Sequence, residues 1–115
     1  MSDFNSILYE VLGARIKARR EELGINQNEL SDNSGIGRTS ISNIEQGRQK
    51  PPLSVIYQIC NVLNIDVLQV LPSFTDIQQQ INFSQESFLK SYLDNLDIDK
   101  KTMKEINSTF NQTHK

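Results

Sequence analysis

Four polar side chains in the middle of the chain carry groups that can recognise the edges of DNA bases: Arg38, Thr39, Ser42 and Asn43. At helical spacing they lie on one face. An arginine can bond bidentately to guanine O6 and N7, an asparagine to adenine N6 and N7, and a threonine methyl group can meet a thymine methyl group. The same side chains also occur on ordinary solvated helices, so the function of this face depends on the elements that position it.

Capping signals place this face on the second of two short helices. Asn26 and Glu29 have the spacing of a capping box at the start of the first helix. Ile36 and Ile41 have the spacing of a hydrophobic staple around Gly37, which begins the second helix. Two short helices joined by a glycine-containing turn are typical of helix-turn-helix proteins, in which the N-terminal end of the second helix enters the major groove. The surrounding elements therefore favour DNA recognition over a merely solvated face.

The same kinds of signal predict an all-α chain. Gly24 and Gly47 are placed to end helices in a left-handed cap, and the prolines bar helix continuation. Phe83 and Phe88 have the spacing of a staple around Ser84, which predicts a helix beginning just after that residue. The predicted helices span residues 4–23, 27–34, 38–46, 53–63, 66–71, 85–96 and 100–110.

Charge is neutral evidence for a nucleic-acid partner. The 115-residue chain has a formal net charge of −2. Residues 1–50 carry seven basic and seven acidic side chains, whereas residues 51–115 carry five basic and seven acidic ones. For phosphate binding the local placement of cations matters more than their sum. Lys17 and Arg19 are expected to be solvated helix residues that contribute to DNA binding through the local field.

Residues for catalysis and metal binding are scarce. Cys60 lies in an apolar run and is expected to be a small core residue, and His114 stands in a polar tail. The chain lacks a glycine-rich phosphate loop and paired catalytic carboxylates. We therefore expect that the protein is not an enzyme and that it binds no cofactor and no metal ion. No segment approaches the ~18 apolar residues of a membrane span, and no signal peptide is recognisable. We therefore expect a cytoplasmic protein with no membrane partner.

The helix-turn-helix segment resembles a known family. The resemblance is to the phage-repressor and Cro-like (XRE-type) helix-turn-helix domain, and it is carried by LGARIKARREELGINQNELSDNSGIGRTSISNIEQGRQKPPLSVIYQICNVLNI. It covers roughly residues 10–71 and implies a five-helix lambda-repressor-like DNA-binding domain over residues 1–72. The predicted helices beyond the resemblance form a helical C-terminal extension over residues 73–115. Three positions depart from the family pattern: Ser31 replaces the usual alanine, Ser34 a usually apolar residue, and Gly37 the commoner serine or threonine cap.

The resemblance also implies roles for individual residues in binding double-stranded DNA. Base contacts would come from Arg38, Thr39 and Asn43, with Ser42 as a further candidate. Gln27 would bond a phosphate and brace the recognition helix. Three residues just past that helix would face the DNA backbone: Gln46, Arg48 and Lys50. Arg20 and Glu45 match positions that form an internal salt bridge, so we expect them to be structural.

Apolar stripes at helical spacing continue beyond the resemblance. Ile77 and Ile81 form one stripe, residues 88–96 another, and residues 103–110 a third. These faces could fold back on the same subunit, pair with a second copy, or bind a different protein. We favour pairing, because a single recognition helix reads only a few base pairs whereas a twofold dimer reads two half-sites about 34–36 Å apart.

Two functional hypotheses follow. The first is a homodimeric transcriptional regulator, a repressor, that binds a palindromic operator near its own gene. The alternative is an antitoxin-type protein that autoregulates through the same DNA-binding domain and binds a toxin or other partner through residues 73–115. Co-purification with a neighbouring gene product would distinguish the second from the first.

Overall fold

The computed structural model describes residues 3–95, which form six α-helices and contain no β-strand. The helices are α1 (Phe4–Glu22), α2 (Gln27–Ser34), α3 (Arg38–Glu45), α4 (Leu53–Val62), α5 (Val67–Val70) and α6 (Phe74–Asn95). The prediction of an all-α chain is confirmed over these described residues. The first five helices begin and end within about one residue of their predicted bounds, because local caps and glycines determine where they stop.

The capping signals operate as the spacing indicates. The amide of Glu29 donates to Asn26 Oδ1 (2.9 Å), and the amide of Asn26 donates back to Glu29 Oε1 (3.3 Å), which completes the capping box of α2. Gly24 and Gly47 take the left-handed conformation, with φ of +72° and +75°, where α1 and α3 end. A side chain with a Cβ is strained in this conformation, so glycine is the residue that permits both turns.

Apolar residues from α1 to α5 form one core. Cys60 is among them, at 1% exposure, and burial raises the pKa of its thiol, so its predicted role as a core residue is confirmed. Each large aliphatic side chain buried in this way contributes roughly 1.5–3 kcal/mol to the free energy of unfolding. The buried cluster comprises Leu12, Ile16, Leu30, Ile41, Ile44, Ile56, Ile59, Cys60, Leu63, Val67 and Val70.

Helix α1 crosses the C-terminal end of α3 at very short range. A Cβ at Gly13 would collide with the main-chain carbonyl oxygen of Ile44 and would lie 2.7 Å from that of Glu45. Only a residue without a side chain allows the two backbones to approach this closely. Gly13 therefore determines where α3 lies against α1.

Helix α6 corrects one sequence prediction. The expected helix start after Ser84 is wrong, because α6 runs without interruption from Phe74 to Asn95. The staple-like spacing of Phe83 and Phe88 falls in the interior of a segment that has no glycine or proline to break it. The helix begins instead after Ser73, whose Oγ accepts from the amide of Asp76 (3.0 Å) while Asp76 Oδ2 accepts from the amide of Ser73 (3.2 Å). The predicted helix over residues 100–110 lies outside the described residues.

The chain divides into two compact units, residues 1–81 and residues 82–115. In the first unit the start of α6 is held by Ile77, which is 2% exposed, and by an ion pair of 3.3 Å between Arg15 and Asp76. In the second unit the rings of Phe88 and Tyr92 stack with their centroids 6.4 Å apart. The boundary predicted at residues 72 and 73 stays a prediction.

Within residues 3–95, no single helix is long and apolar enough to cross a membrane. One bent pair of segments is long and apolar enough when its two parts are counted together. This pair is Leu53–Val62 with Val67–Asn95, and its bend is 104°. No group of three or more His, Cys, Asp or Glu side chains in the same range could hold a metal ion.

Candidate nucleic-acid interface

The turn between α2 and α3 is held by two serine hydroxyls. Ser31 Oγ donates to the carbonyl oxygen of Ile36 (2.6 Å), and the amide of Ile36 donates to Ser34 Oγ (3.2 Å). Gly35 supplies the left-handed residue that ends α2, with φ of +77°. Ser31 and Ser34 are two of the departures from the family pattern, and the structure gives them a purpose: each bonds main-chain groups of the turn that presents α3.

The predicted base-contacting residues lie together on α3. Arg38 and Thr39 are exposed in its first turn, and Ser42 and Asn43 are half-buried one turn later. All four line an open groove of about 260 Å³, and Gln27 from the start of α2 lines the same groove. The structure thus brings together five residues that were predicted to bind DNA, four from one face of α3 and one from the start of α2. Their contacts with DNA stay a prediction.

A buried ion pair fixes the C-terminal end of α3. Arg20 on α1 donates from Nε to Glu45 Oε2 (2.7 Å) and from Nη2 to Oε1 (3.0 Å), so the internal salt bridge is confirmed. Its third bond, from Nη1, goes to the carbonyl oxygen of Ile25 (2.9 Å) before α2. Hydrogen bonding to Glu45 raises the pKa of Arg20 above its ordinary value. The pair therefore joins α1, the α1–α2 turn and α3 through charge-assisted bonds.

Gln27 shares this network. Its Nε2 donates to Glu45 Oε1 at 3.1 Å, so one amide hydrogen ties the start of α2 to the end of α3. Because a carboxylate can only accept, the amide oxygen of Gln27 must point away from Glu45. The Gln27 side chain therefore joins the start of α2 to the end of α3, and its second N–H is not used in this bond.

The three residues past α3 occupy different surroundings. Gln46 is the C-terminal cap of α3, and its Nε2 donates to Ser42 Oγ at 3.1 Å. The main-chain amide of Arg48 donates to the carbonyl oxygen of Asn43 (2.9 Å), and its side chain is exposed. Lys50 Nζ lies 5.9 Å from the centroid of the Tyr9 ring. Their expected position beside the DNA backbone stays a prediction.

Arg19 corrects the expectation of a solvated residue. Its Nε donates to the carbonyl oxygen of Leu63 (3.0 Å) and its Nη2 to that of Asn64 (3.3 Å), and its Nη1 pairs with Glu22 at 2.8 Å. A guanidinium that bonds the carbonyl oxygens of the α4 C-cap residue, Leu63, and of the residue after it caps that helix. The sequence carries no local signal for this role, because the partners are 44 and 45 residues away. Lys17 is exposed as expected.

Comparison with known proteins agrees with the geometry of α2 and α3. Residues 16–70 match the HTH_3 helix-turn-helix family. The ImmF control region 10 kDa protein of Bacillus phage phi105 is 40% identical over 67 residues, which are 58% of this chain and 72% of that protein. The chain belongs to the XRE-type helix-turn-helix family. It is therefore a transcriptional regulator with a helix-turn-helix DNA-binding domain.

Two further proteins are similar to part of this chain. The immunity repressor protein of the same phage is 30% identical over 69 residues, which cover 60% of this chain but only about half (48%) of that repressor. The structure of the clp gene regulator ClgR from C. glutamicum superposes with a TM-score of 0.54 at 28% identity, covering 55% of this chain and 81% of the other. Each of these two similarities therefore covers little more than half of this chain.

Proposed function

We propose that the protein is a homodimeric repressor that binds a palindromic operator near its own gene, with the N-terminal end of α3 in the major groove. One observation carries this proposal: Arg38, Thr39, Ser42 and Asn43 line a single groove with Gln27. The groove combines a guanidinium, two carboxamides, two hydroxyls and a methyl group. These are the groups that distinguish the four base pairs at their major-groove edges.

The contacts around the groove support separate roles for its two ends. Arg38 and Thr39 are exposed in the first turn of α3, where side chains of a recognition helix meet bases. Gln27 is held by Glu45, so its remaining N–H can donate to a phosphate without a loss of side-chain freedom on binding. Gln46, Arg48 and Lys50 follow α3 and are proposed to face the DNA backbone.

The exposed aromatic side chains of α6 support association with a second copy. Phe83, Phe88 and Tyr92 are 65%, 72% and 53% exposed. Removing apolar surface from water contributes about 25 cal/mol per Å², so exposed aromatic side chains of this kind favour a partner. A second copy is the partner that also completes the site, because two recognition helices read two half-sites.

Fluorescence anisotropy tests the proposal. The full chain is titrated against its own upstream DNA near physiological salt, with a scrambled duplex as control, and sedimentation gives the stoichiometry. Arg38→Ala is expected to lose roughly 1–3 kcal/mol of binding free energy at one base position. Lys17→Ala removes an exposed positive charge of α1 and is the matched control, for which we expect little change. We call the surface formed by Arg38, Thr39, Ser42 and Asn43 the reading face. Arg38→Ala binding as tightly as the wild type would contradict the assignment of this face.

The antitoxin-type alternative shares the DNA-binding domain and differs in the partner of residues 73–115. The same exposed aromatic side chains could then contact a toxin. A stable complex with the product of a neighbouring gene, together with a monomeric protein when that product is absent, would favour this alternative. A homodimer that binds the upstream DNA without any other protein would contradict the antitoxin-type alternative.

A further inference from the structure

One hydrogen bond lies inside the proposed reading face. Gln46 Nε2 donates to Ser42 Oγ at 3.1 Å, one helical turn apart. Ser42 lines the groove together with Arg38 and Asn43, whereas Gln46 is the C-terminal cap of α3 and is not one of the groove-lining residues. The amide group of Gln46 is therefore placed to control the hydroxyl of a residue on the reading face.

The direction of this bond determines what Ser42 can offer to DNA. A hydroxyl has one hydrogen and two acceptor lone pairs. When Gln46 donates to Ser42 Oγ, a lone pair is used and the hydroxyl hydrogen remains available. Thymine O4 and guanine O6 accept a hydrogen bond in the major groove, whereas cytosine N4 and adenine N6 donate one at the corresponding positions. A hydroxyl that is held as a donor distinguishes these two classes.

We propose that Gln46 is a positioning residue that makes Ser42 a hydrogen-bond donor, so that Ser42 selects a keto base, guanine or thymine, over an amino base at one operator position. This inference rests on the proposed function and goes beyond it. Gln46 then acts on base preference through Ser42, and a contact of its own with a phosphate would be additional. The two roles differ in their effect: a phosphate contact changes affinity for every sequence, whereas a positioned hydroxyl changes preference at one base pair.

The experiment uses the full chain and a duplex selected by the wild type from a randomised library. Each position of that duplex is then varied, and Kd is measured by fluorescence anisotropy. The wild type is expected to prefer keto bases by about two- to tenfold at one position in each half-site, the contribution of one hydrogen bond. Gln46→Met keeps the length of the side chain without its amide, and we expect it to lose this preference.

A charged variant provides the reverse test. In Gln46→Glu the carboxylate can only accept, so Ser42 donates to it and presents lone pairs to the base. The preference at that position should then change to amino bases. The double variant Ser42→Ala with Gln46→Glu is the matched control, because it retains the added negative charge without the hydroxyl. It should bind all duplexes more weakly by a similar factor and show no preference there.

Several results would overturn the inference. One is a Gln46→Met variant that weakens binding to all duplexes equally and keeps the keto preference, which would make Gln46 a backbone contact alone. Another is a wild-type preference for amino bases, which would mean that the hydroxyl hydrogen is used within α3. A wild type that selects a palindromic sequence would support the proposed function even when these variants contradict the role of Gln46. A wild type that selects none contradicts both.

Discussion

Replacing Gly13 by alanine tests the crossing that positions the recognition helix. The added Cβ would lie 2.7 Å from the carbonyl oxygen of Glu45 and would collide with that of Ile44. Ordinary contact at about 3.4 Å requires α1 to retreat from α3 by at least about 0.7 Å. Both obstacles are main-chain atoms, so neither can rotate away as the end of a flexible side chain could.

Two opposing effects set the magnitude. Overpacking of a close contact typically lowers the free energy of unfolding by about 1–3 kcal/mol. Because both obstacles here are rigid, we expect a steric loss of about 3 kcal/mol. Alanine gains about 1 kcal/mol over glycine in a helix interior. The steric effect is larger, so Gly13→Ala should lower the free energy of unfolding by about 2 kcal/mol. For a domain of this size that corresponds to a fall in Tm of roughly 8–16 °C.

Thermal and urea unfolding followed by far-UV circular dichroism measure this loss. Gly37→Ala is the matched control, because a Cβ at Gly37 meets nothing within 4 Å. It should cost only the smaller penalty for alanine as an N-cap, about 0.5–1 kcal/mol. An unchanged or raised Tm for Gly13→Ala would refute the close crossing of α1 and α3, and with it the fixed position of the recognition helix.

Three further predictions concern polar and charged side chains. Glu45→Ala leaves Arg20 buried without its partner, and should lower the free energy of unfolding by about 3–5 kcal/mol in urea titrations; a loss under 1 kcal/mol would show that the pair is solvated. Gln27→Met and Lys50→Gln should weaken binding to all duplexes alike, and Lys50→Gln should reduce the slope of log K against log salt by about 1, measured by anisotropy; a change at a single base position would contradict this. Hydrogen bonds from Ser73, followed by Arg15, hold the pKa of Asp76 below its ordinary value of 3.8, so the stability it contributes is present above that pH and is lost as the pH falls through the lower folded pKa. The unfolding free energy of Asp76→Asn should therefore depend less on pH in this acidic range, and an unchanged dependence would disprove the contribution.

The sequence predicted the parts of the fold whose causes are local. The start of α2 follows from Asn26 and Glu29, which are three residues apart, and the ends of α1 and α3 follow from single glycines. The face of α3 was predicted for the same reason, since helical spacing alone places its four polar side chains together. Local patterns also misled: Phe83 and Ser84 have the spacing of a helix start but lie in the interior of α6.

What the sequence could not predict depends on residues that are distant along the chain. Arg19 caps α4 through carbonyl groups 44 and 45 residues away, and no spacing rule connects them. The contact of Gly13 with α3 is of the same kind, because glycine inside a helix ordinarily indicates only a loss of stability. Ser31 and Ser34 were identified as departures from a family pattern, but their bonds to the turn depend on how the turn folds.

The two ends of α3 are held differently, and this difference has a functional consequence. Its C-terminal end is fixed by Gly13 against α1 and by Glu45, which accepts from both Arg20 and Gln27. Its N-terminal cap, Gly37, has no side-chain hydrogen bond. The anchored end sets where the helix sits, so changes in the groups that anchor it (Gly13, Arg20 and Glu45) should alter affinity for all sequences together. Changes in the exposed first turn should alter base preference instead. If first-turn variants changed affinity for all sequences and variants at the anchored end changed base preference, the helix would be anchored at its N-terminal end.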